Sequence, residues 1–228
     1  MLDLTKSTFV AASIASIAFM ISNAAVSQDS TTHMQGEFLQ RAVEAANWIE
    51  SQQIKVDAAT TWPSSPSQSG AVAFNLYSGN AGVVIFFLEL HQATGDAKYL
   101  EFAQRGARAL LAEVKNLTPK SDPGYWTGYT GIAATLAEVY RATEQEAFLK
   151  GYEECTKLLK ENARAFPGTQ NGPVQFNSVT DIIGGSAGIG FFLLYADQMM
   201  KDKEALPLAI RLADRLVALG ESVAINGD

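Results

Sequence analysis

The chain has a single cysteine, Cys155, in 228 residues. A disulfide within it is impossible, and so is a zinc site built from several cysteines. Histidine is almost as scarce. His33 and His91 are the only two, and neither has a metal partner at ligand spacing, so both are expected in solvent. Basic residues are outnumbered, 17 Lys and Arg against 24 Asp and Glu, for a net charge of −7. No Lys/Arg cluster makes a local exception. That excludes nucleic acid as a partner, because phosphate binding needs a basic face. Strand-like alternation bounded by turn signals is also missing, so no sheet is expected. What remains is 47% hydrophobic and 18% charged, the balance of a globular domain with a sizeable core.

Residues 1 to 27 read as a secretory signal peptide. Lys6 gives a weak positive start, Phe9 to Ile21 is apolar, and Ala25-Val26-Ser27 offers small residues for cleavage before Gln28. The apolar run is shorter than the ~20 residues of a membrane span. An uncleaved anchor is the competing reading; after cleavage no stable span is expected. The expected location is therefore secreted or periplasmic. Residues 28–36 are polar and expected to be disordered, and the folded domain is expected over 37–228. Its first helix is read over Glu37 to Gln53, where Phe38, Leu39, Ala42, Val43, Ala46 and Ile49 recur at helical spacing with Trp48 beside them. Thr60 to Gly70, rich in Ser and Pro, is expected as a loop, either an ordered flap or a plain connector.

Three segments then resemble one another. They run from Asn75 to Leu90 with Gly79 and Gly82, from Tyr125 to Val139 with Gly128 and Gly131, and from Asp181 to Tyr195 with Gly185 and Gly188. Each has a Gly-x-x-Gly pair followed by a nearly unbroken apolar stretch. The offset between copies is about 50 to 57 residues, a period that marks a repeat architecture. Behind each lies an amphipathic stretch. Tyr99, Ala103, Ala107, Leu110 and Val114 share one face in the first. Phe148, Tyr152, Cys155 and Leu159 do so in the second, and Leu208, Leu212, Leu216 and Leu219 in the third. A helix apolar all round is buried on every side, and one with a single apolar stripe faces water. The expected fold is therefore all-α: inner helices ringed by outer ones, an α/α toroid (barrel) of helical hairpins.

The glycine pairs open each inner helix. Glycine permits positive φ and close backbone approach, and helix N-termini offer free N–H groups to anions. Tight packing alone explains them equally well. Asp181 precedes the third inner helix, as a general acid/base or as a helix cap; Asn75 holds the same place in the first repeat. Tyr77, Tyr125, Trp126 and Tyr129 cluster at the same end, either to stack on a sugar or peptide or to pack between hairpins. Glu89 and Glu138 share a repeat position at the far end, as an acid/base pair or as ion-pair partners of an outer-helix Arg such as Arg105 or Arg108.

From Tyr77 to Gly220 these repeats resemble the lanthionine synthetase C family, most closely in Asp181-Ile-Ile-Gly-Gly185-Ser-Ala-Gly188. The resemblance implies a toroid of six or seven hairpins around a zinc ion, and addition of a cysteine thiol to a dehydrated Ser or Thr of a peptide. It also implies that Asp181 assists proton transfer. The two cysteines and the histidine that hold zinc in that family belong to later repeats and have no counterpart here. The expectation is thus no metal site and no cofactor within this sequence, with a peptide substrate or a partner carrying the later repeats. Cys155 falls on an outer helix and is expected to pack. Two other functions remain open: a glycan-acting hydrolase or epimerase, which needs a carboxylate pair at the glycine end, where Asp122 and Asp181 qualify, and a non-catalytic peptide-binding scaffold.

Overall fold

The computed structural model describes residues 28–65, 70–165 and 172–226. The segment read as a signal peptide, residues 1–27, lies outside them. Helix α1 spans Gln28–Ser51 and is followed by a hairpin of β1 (Ile54–Val56) and β2 (Ala59–Thr61). Three helical hairpins come next: α2 (Asn80–Thr94) with α3 (Ala97–Val114), α4 (Tyr129–Thr143) with α5 (Glu146–Glu161), and α6 (Ser186–Met200) with α7 (Ala205–Asn226). A second small hairpin, β3 (Arg164–Ala165) with β4 (Val174–Gln175), precedes α6.

Two expectations are corrected here. Residues 28–36 are helical rather than disordered, because α1 already begins at Gln28. Once a helix is nucleated, each added residue gains a hydrogen bond at little cost, even in a polar stretch. The absence of any sheet is also overturned, by two antiparallel hairpins of two strands each. Strands of two or three residues are too short to show a period in sequence. β1–β2 closes through Asp57 in a left-handed conformation (φ 51°) and packs β2 on the outer helix α3. Arg108 secures it with a bond to the Ala58 carbonyl at 3.3 Å.

The three hairpins follow one plan. The inner helices α2, α4 and α6 lie side by side in chain order, each packed against its own outer helix. Apolar side chains on all faces make the middle one the most enclosed: Tyr129 to Ala137 are all buried. α2 and α6 are buried on fewer faces, since each has a neighbouring inner helix on one side only. The outer helices bury the stripes read from the sequence: Tyr99, Ala103, Ala107, Leu110 and Val114 on α3, and Phe148, Tyr152, Cys155 and Leu159 on α5.

Each inner helix stops in the same way. Gly95, Glu144 and Lys201 take the left-handed conformation, and their N–H groups return to the carbonyls of His91, Tyr140 and Ala196. This cap satisfies carbonyls that a helix end leaves unpaired.

Candidate functional site

The glycine pairs join each inner helix to the loop before it. Gly79, Gly128 and Gly185 are the N-cap residues of α2, α4 and α6, all extended with φ of −129°, −131° and −107°. Positive φ therefore does not explain them. Close approach does. A Cβ on Gly128 would lie inside contact distance of the Asp122 carbonyl, and one on Gly131 inside that of Tyr125. Gly79 and Gly82 meet the Ala73 and Leu76 carbonyls in the same way, and Gly185 and Gly188 meet those of Val179 and Ile182.

The same loops consume the N–H groups that a helix start leaves open. Asn80, Tyr129 and Ser186 each donate to a loop carbonyl at 2.9 Å: Ala73, Asp122 and Val179 respectively. On α6, Ala187 and Gly188 also donate to Thr180 and Asp181, at 3.2 and 3.3 Å. The first N–H of each inner helix, and the first three of α6, are thus tied into the preceding loop.

The loops are also tied to one another. Tyr77 N–H donates to the Trp126 carbonyl at 2.9 Å, and Trp126 N–H donates to the Ile183 carbonyl at 3.0 Å. These three residues are equivalent in the repeat, so the bonds form a ladder across the glycine end. It brings together Tyr77, Trp126 and the Asp181 loop, as the alignment of repeats predicted.

The individual side chains differ more than their alignment suggests. Tyr77 is 69% exposed and Trp126 partly buried, so both present a surface at this end. Tyr129 is 2% exposed and belongs to the core, because the first residue of the central inner helix points between its neighbours. Burial pushes its phenol up to about 12, against a smaller opposing pull from Asn162. Tyr125 is likewise buried, edge-on to Trp126 and Phe191 at 5.7 Å each. Tyr129 still contributes one wall of a cavity of about 360 Å3 between the first and second loops, shared with Asn75, Glu113, Asp122, Thr127 and Gly128.

Asp181 is exposed. Its Oδ1 accepts the N–H groups of Ile183 at 2.7 Å and Gly184 at 2.8 Å. Asn75 does part of the same work in the first loop, accepting Ser78 N–H at 2.9 Å. Asp122 is similarly engaged: Oδ1 accepts Gly124 N–H at 2.9 Å and Oδ2 accepts the Thr127 hydroxyl at 2.7 Å. Both carboxylates at this end are therefore turn-builders as they stand.

At the other end of the inner helices, Glu138 does not reach an outer-helix arginine. It pairs with Arg141 of its own helix at 2.8 Å and accepts the Tyr195 hydroxyl of α6 at 2.5 Å. Tyr195 occupies the repeat position of Glu138 itself, so the bond links equivalent places on neighbouring inner helices. Burial first, and then the Glu138 charge, push that phenol up. Glu89 is exposed. Of the two arginines proposed as partners, Arg105 sits 4.0 Å from Glu101 and Arg108 serves the β1–β2 turn.

Sequence reasoning missed Asn80. It is fully buried between the first glycine pair, its Oδ1 accepting Trp62 N–H at 2.9 Å and its Nδ2 donating to Trp62 and Ala73 carbonyls. An amide where the other repeats have Tyr129 and Ser186 was the one available signal.

Among the described residues, no group of three or more His, Cys, Asp or Glu is arranged to hold a metal ion. Cys155 is buried on α5, and burial pushes its thiol up to about 12, the opposite of what a thiolate ligand needs. His91 Nδ1 lies 2.9 Å from the Asp96 carbonyl. The donors present do not fit a zinc site.

Compared with known families, residues 70–226 match the family described as Lanthionine synthetase C-like protein. The chain belongs to that family. The matched span takes in all three glycine loops and all three hairpins, so it is the repeat unit itself that carries the relationship. No curated protein matched the chain. For this lanthionine synthetase C-like chain, an all-α fold and the absence of any described helix able to cross a membrane both stand on the structure.

Proposed function

We propose that this chain is an exported lanthionine synthetase C-like protein that receives a peptide at its glycine-loop end. The observation that carries the reading is the ladder from Tyr77 through Trp126 to Ile183, which presents exposed aromatic surface over a rigid backbone frame. Peptide recognition suits such a frame, because the ordering is done before binding. In this reading the described residues do not supply the zinc that thioether formation uses in the family. Formation of the carbon–sulfur bond then requires ligands from further repeats, and no step can be routed through Cys155.

A non-catalytic scaffold is the second reading. It is favoured by the engagement of both Asp122 and Asp181 carboxylates in their own turns. A glycan hydrolase or epimerase has less support, since its carboxylate pair would be these same two groups.

Zinc content, peptide binding, loss of the peptide thiol and the N-terminus of the secreted protein test the leading reading. The purified chain is assayed for zinc by elemental analysis and incubated with a peptide containing both dehydroalanine and cysteine. Loss of the peptide's alkylatable thiol without change of mass would mark cyclisation. The expected result is peptide binding with less than one-tenth equivalent of zinc and an intact thiol, an order-of-magnitude threshold for an absent site. Stoichiometric zinc would overturn it, as would no binding of the peptide. N-terminal sequencing of secreted protein beginning at Gln28 would support export.

A further inference from the structure

Where two repeats meet, the outer helix of one faces the turn between the two helices of the next. At the first such junction Gln145, just past the α4 cap, donates its side-chain amide to Gln104 of α3 at 3.0 Å. The left-handed caps Glu144 and Lys201 make Asp202 the equivalent of Gln145, and Tyr99 and Phe148 make Glu153 the equivalent of Gln104. Two carboxylates thus stand where a pair of amides closes the first junction. Neither carboxylate can donate to the other, and their charges repel.

The second junction holds a cleft of about 430 Å3 between α5 and the α6–α7 turn, and both carboxylates line it. Lys160 meets Asp202 at 2.8 Å and Glu204 at 2.8 Å, and Lys157 lies 3.8 Å from Glu161. Glu153 is left with no cation among the described residues, so four carboxylates face two lysines in the lining. Leu149 and Met200 add half-buried apolar wall. A second feature points to a ligand. Tyr152, which stands where α3 has Ala103, lines the same cleft at 4% exposure, and its hydroxyl has no hydrogen-bond partner. The Thr156 hydroxyl one turn on spends its proton on the Tyr152 carbonyl at 2.8 Å. Burial pushes the Tyr152 phenol up to about 12, Thr156 opposes part of the rise, and the Asp202 and Glu153 charges add to it. The hydroxyl therefore lies within reach of both carboxylates. A buried hydroxyl without a partner is rare in folded proteins and calls for one from outside the chain.

We propose that this cleft binds a primary ammonium group carried on an aliphatic stem. The ammonium has three N–H donors and no acceptor, which matches Glu153, Asp202 and the Tyr152 hydroxyl oxygen. The stem lies against Leu149 and Met200. A lysine side chain of a peptide and a free aliphatic diamine both present this chemistry. The group does for the second junction what the Gln104–Gln145 bond does for the first: it joins an outer helix to the next turn. The α6–α7 turn lies at the end of the inner helices opposite the glycine loops. The site is thus separate from the ladder of Tyr77, Trp126 and Ile183, and it rests neither on zinc nor on the peptide proposed there.

The test is titration of the full chain with pentylammonium, followed by amide chemical shifts. A Kd of about 1 mM is expected, with the Glu153 and Asp202 signals moving and those of Tyr77 and Trp126 still. Pentanol, which keeps the stem and drops the charge, should bind about tenfold more weakly, and so should pentylammonium to Glu153→Gln. Tyr152→Phe should weaken binding about fivefold, and its urea midpoint should equal or exceed the parent's, because the hydroxyl it removes has no partner to lose. Glu154→Gln, on the same helix outside the cleft, should bind as the parent does. N-acetyl-lysine amide and cadaverine run side by side separate a peptide side chain from a free diamine as the source, the tighter one assigning it. The proposal is overturned by no binding at about 10 mM pentylammonium, by pentanol binding as tightly, by affinity indifferent to Glu153→Gln, or by a Tyr152→Phe chain less stable than the parent.

Discussion

At the scale of single residues, chemistry and location separate the candidates. Asp181 is the sharpest case. Both alternatives left open by the sequence place it beside α6, and the structure shows its carboxylate holding two loop N–H groups. An Asp181→Asn variant keeps an acceptor at Oδ1 and should unfold within about 0.5 kcal/mol of the parent, whereas Asp181→Ala should lose about 1 kcal/mol. Urea denaturation of the three proteins checks this; equal losses in both variants would contradict the turn role. Cys155 shows the value of burial over identity. Its thiol is pushed from an ordinary 9.0 up to about 12 by burial, and Tyr125, Tyr129 and Tyr152 rise from 10.0 to about 12 for the same leading reason. A group whose folded value is raised stabilises the fold fully below its unfolded value, and that stability is lost as pH rises toward the folded value. Stability should therefore fall between about pH 9 and 12, with the cysteine responsible for the onset and worth about 2–3 kcal/mol by pH 11. Melting curves at pH 8 and 11 should differ less in Cys155→Ala than in the parent.

At the scale of elements, the two ends of each inner helix answer different requirements. The N-terminal glycines are fixed by neighbouring carbonyls, not by backbone conformation. Gly131→Ala should cost about 3 kcal/mol or more, since its Cβ would press on the Tyr125 carbonyl and on Leu76. Thermal unfolding of that variant within a degree of the parent would rule out the close-approach explanation. At the C-terminal ends the requirement is conformational. Gly95, Glu144 and Lys201 share one left-handed cap, with φ of 70°, 56° and 60°. Only the first is the residue that adopts it without strain. Glu144→Gly and Lys201→Gly should each stabilise the chain by about 0.5–1 kcal/mol, read as a higher urea midpoint at unchanged slope. The hairpins themselves were legible because a 3.6-residue period survives over fifteen residues. The β1–β2 and β3–β4 pairs were not, because a strand of two or three residues carries no period and Asp57 gives no glycine signal at its turn.

At the scale of the whole molecule, the distribution of apolar surface sets the behaviour. The third hairpin and the loop before it expose Ile182, Leu194, Ile210 and Val217, and exposed apolar surface favours association. Val217→Lys combined with Ile210→Glu, which restores the charge types that α5 carries, should shift the chain toward monomer in sedimentation velocity across a concentration series; an unchanged distribution would mean the patch is not the cause. The repeat period, the inner and outer character of each helix, the placement of the glycine pairs and the packing role of Cys155 were all determined by the sequence by itself, because each rests on local spacing and hydrophobic pattern. Only the tertiary structure decided which of the tyrosines at the glycine end is buried. Tyr77 lies on an exposed loop and Tyr129 inside, because that depends on what stands on either side of an inner helix. The tertiary structure alone also gave Glu138 its partner in Tyr195, 57 residues away, and joined the three loops into a ladder. These are contacts between repeats, and a repeat pattern records what each unit contains rather than what its neighbour takes from it.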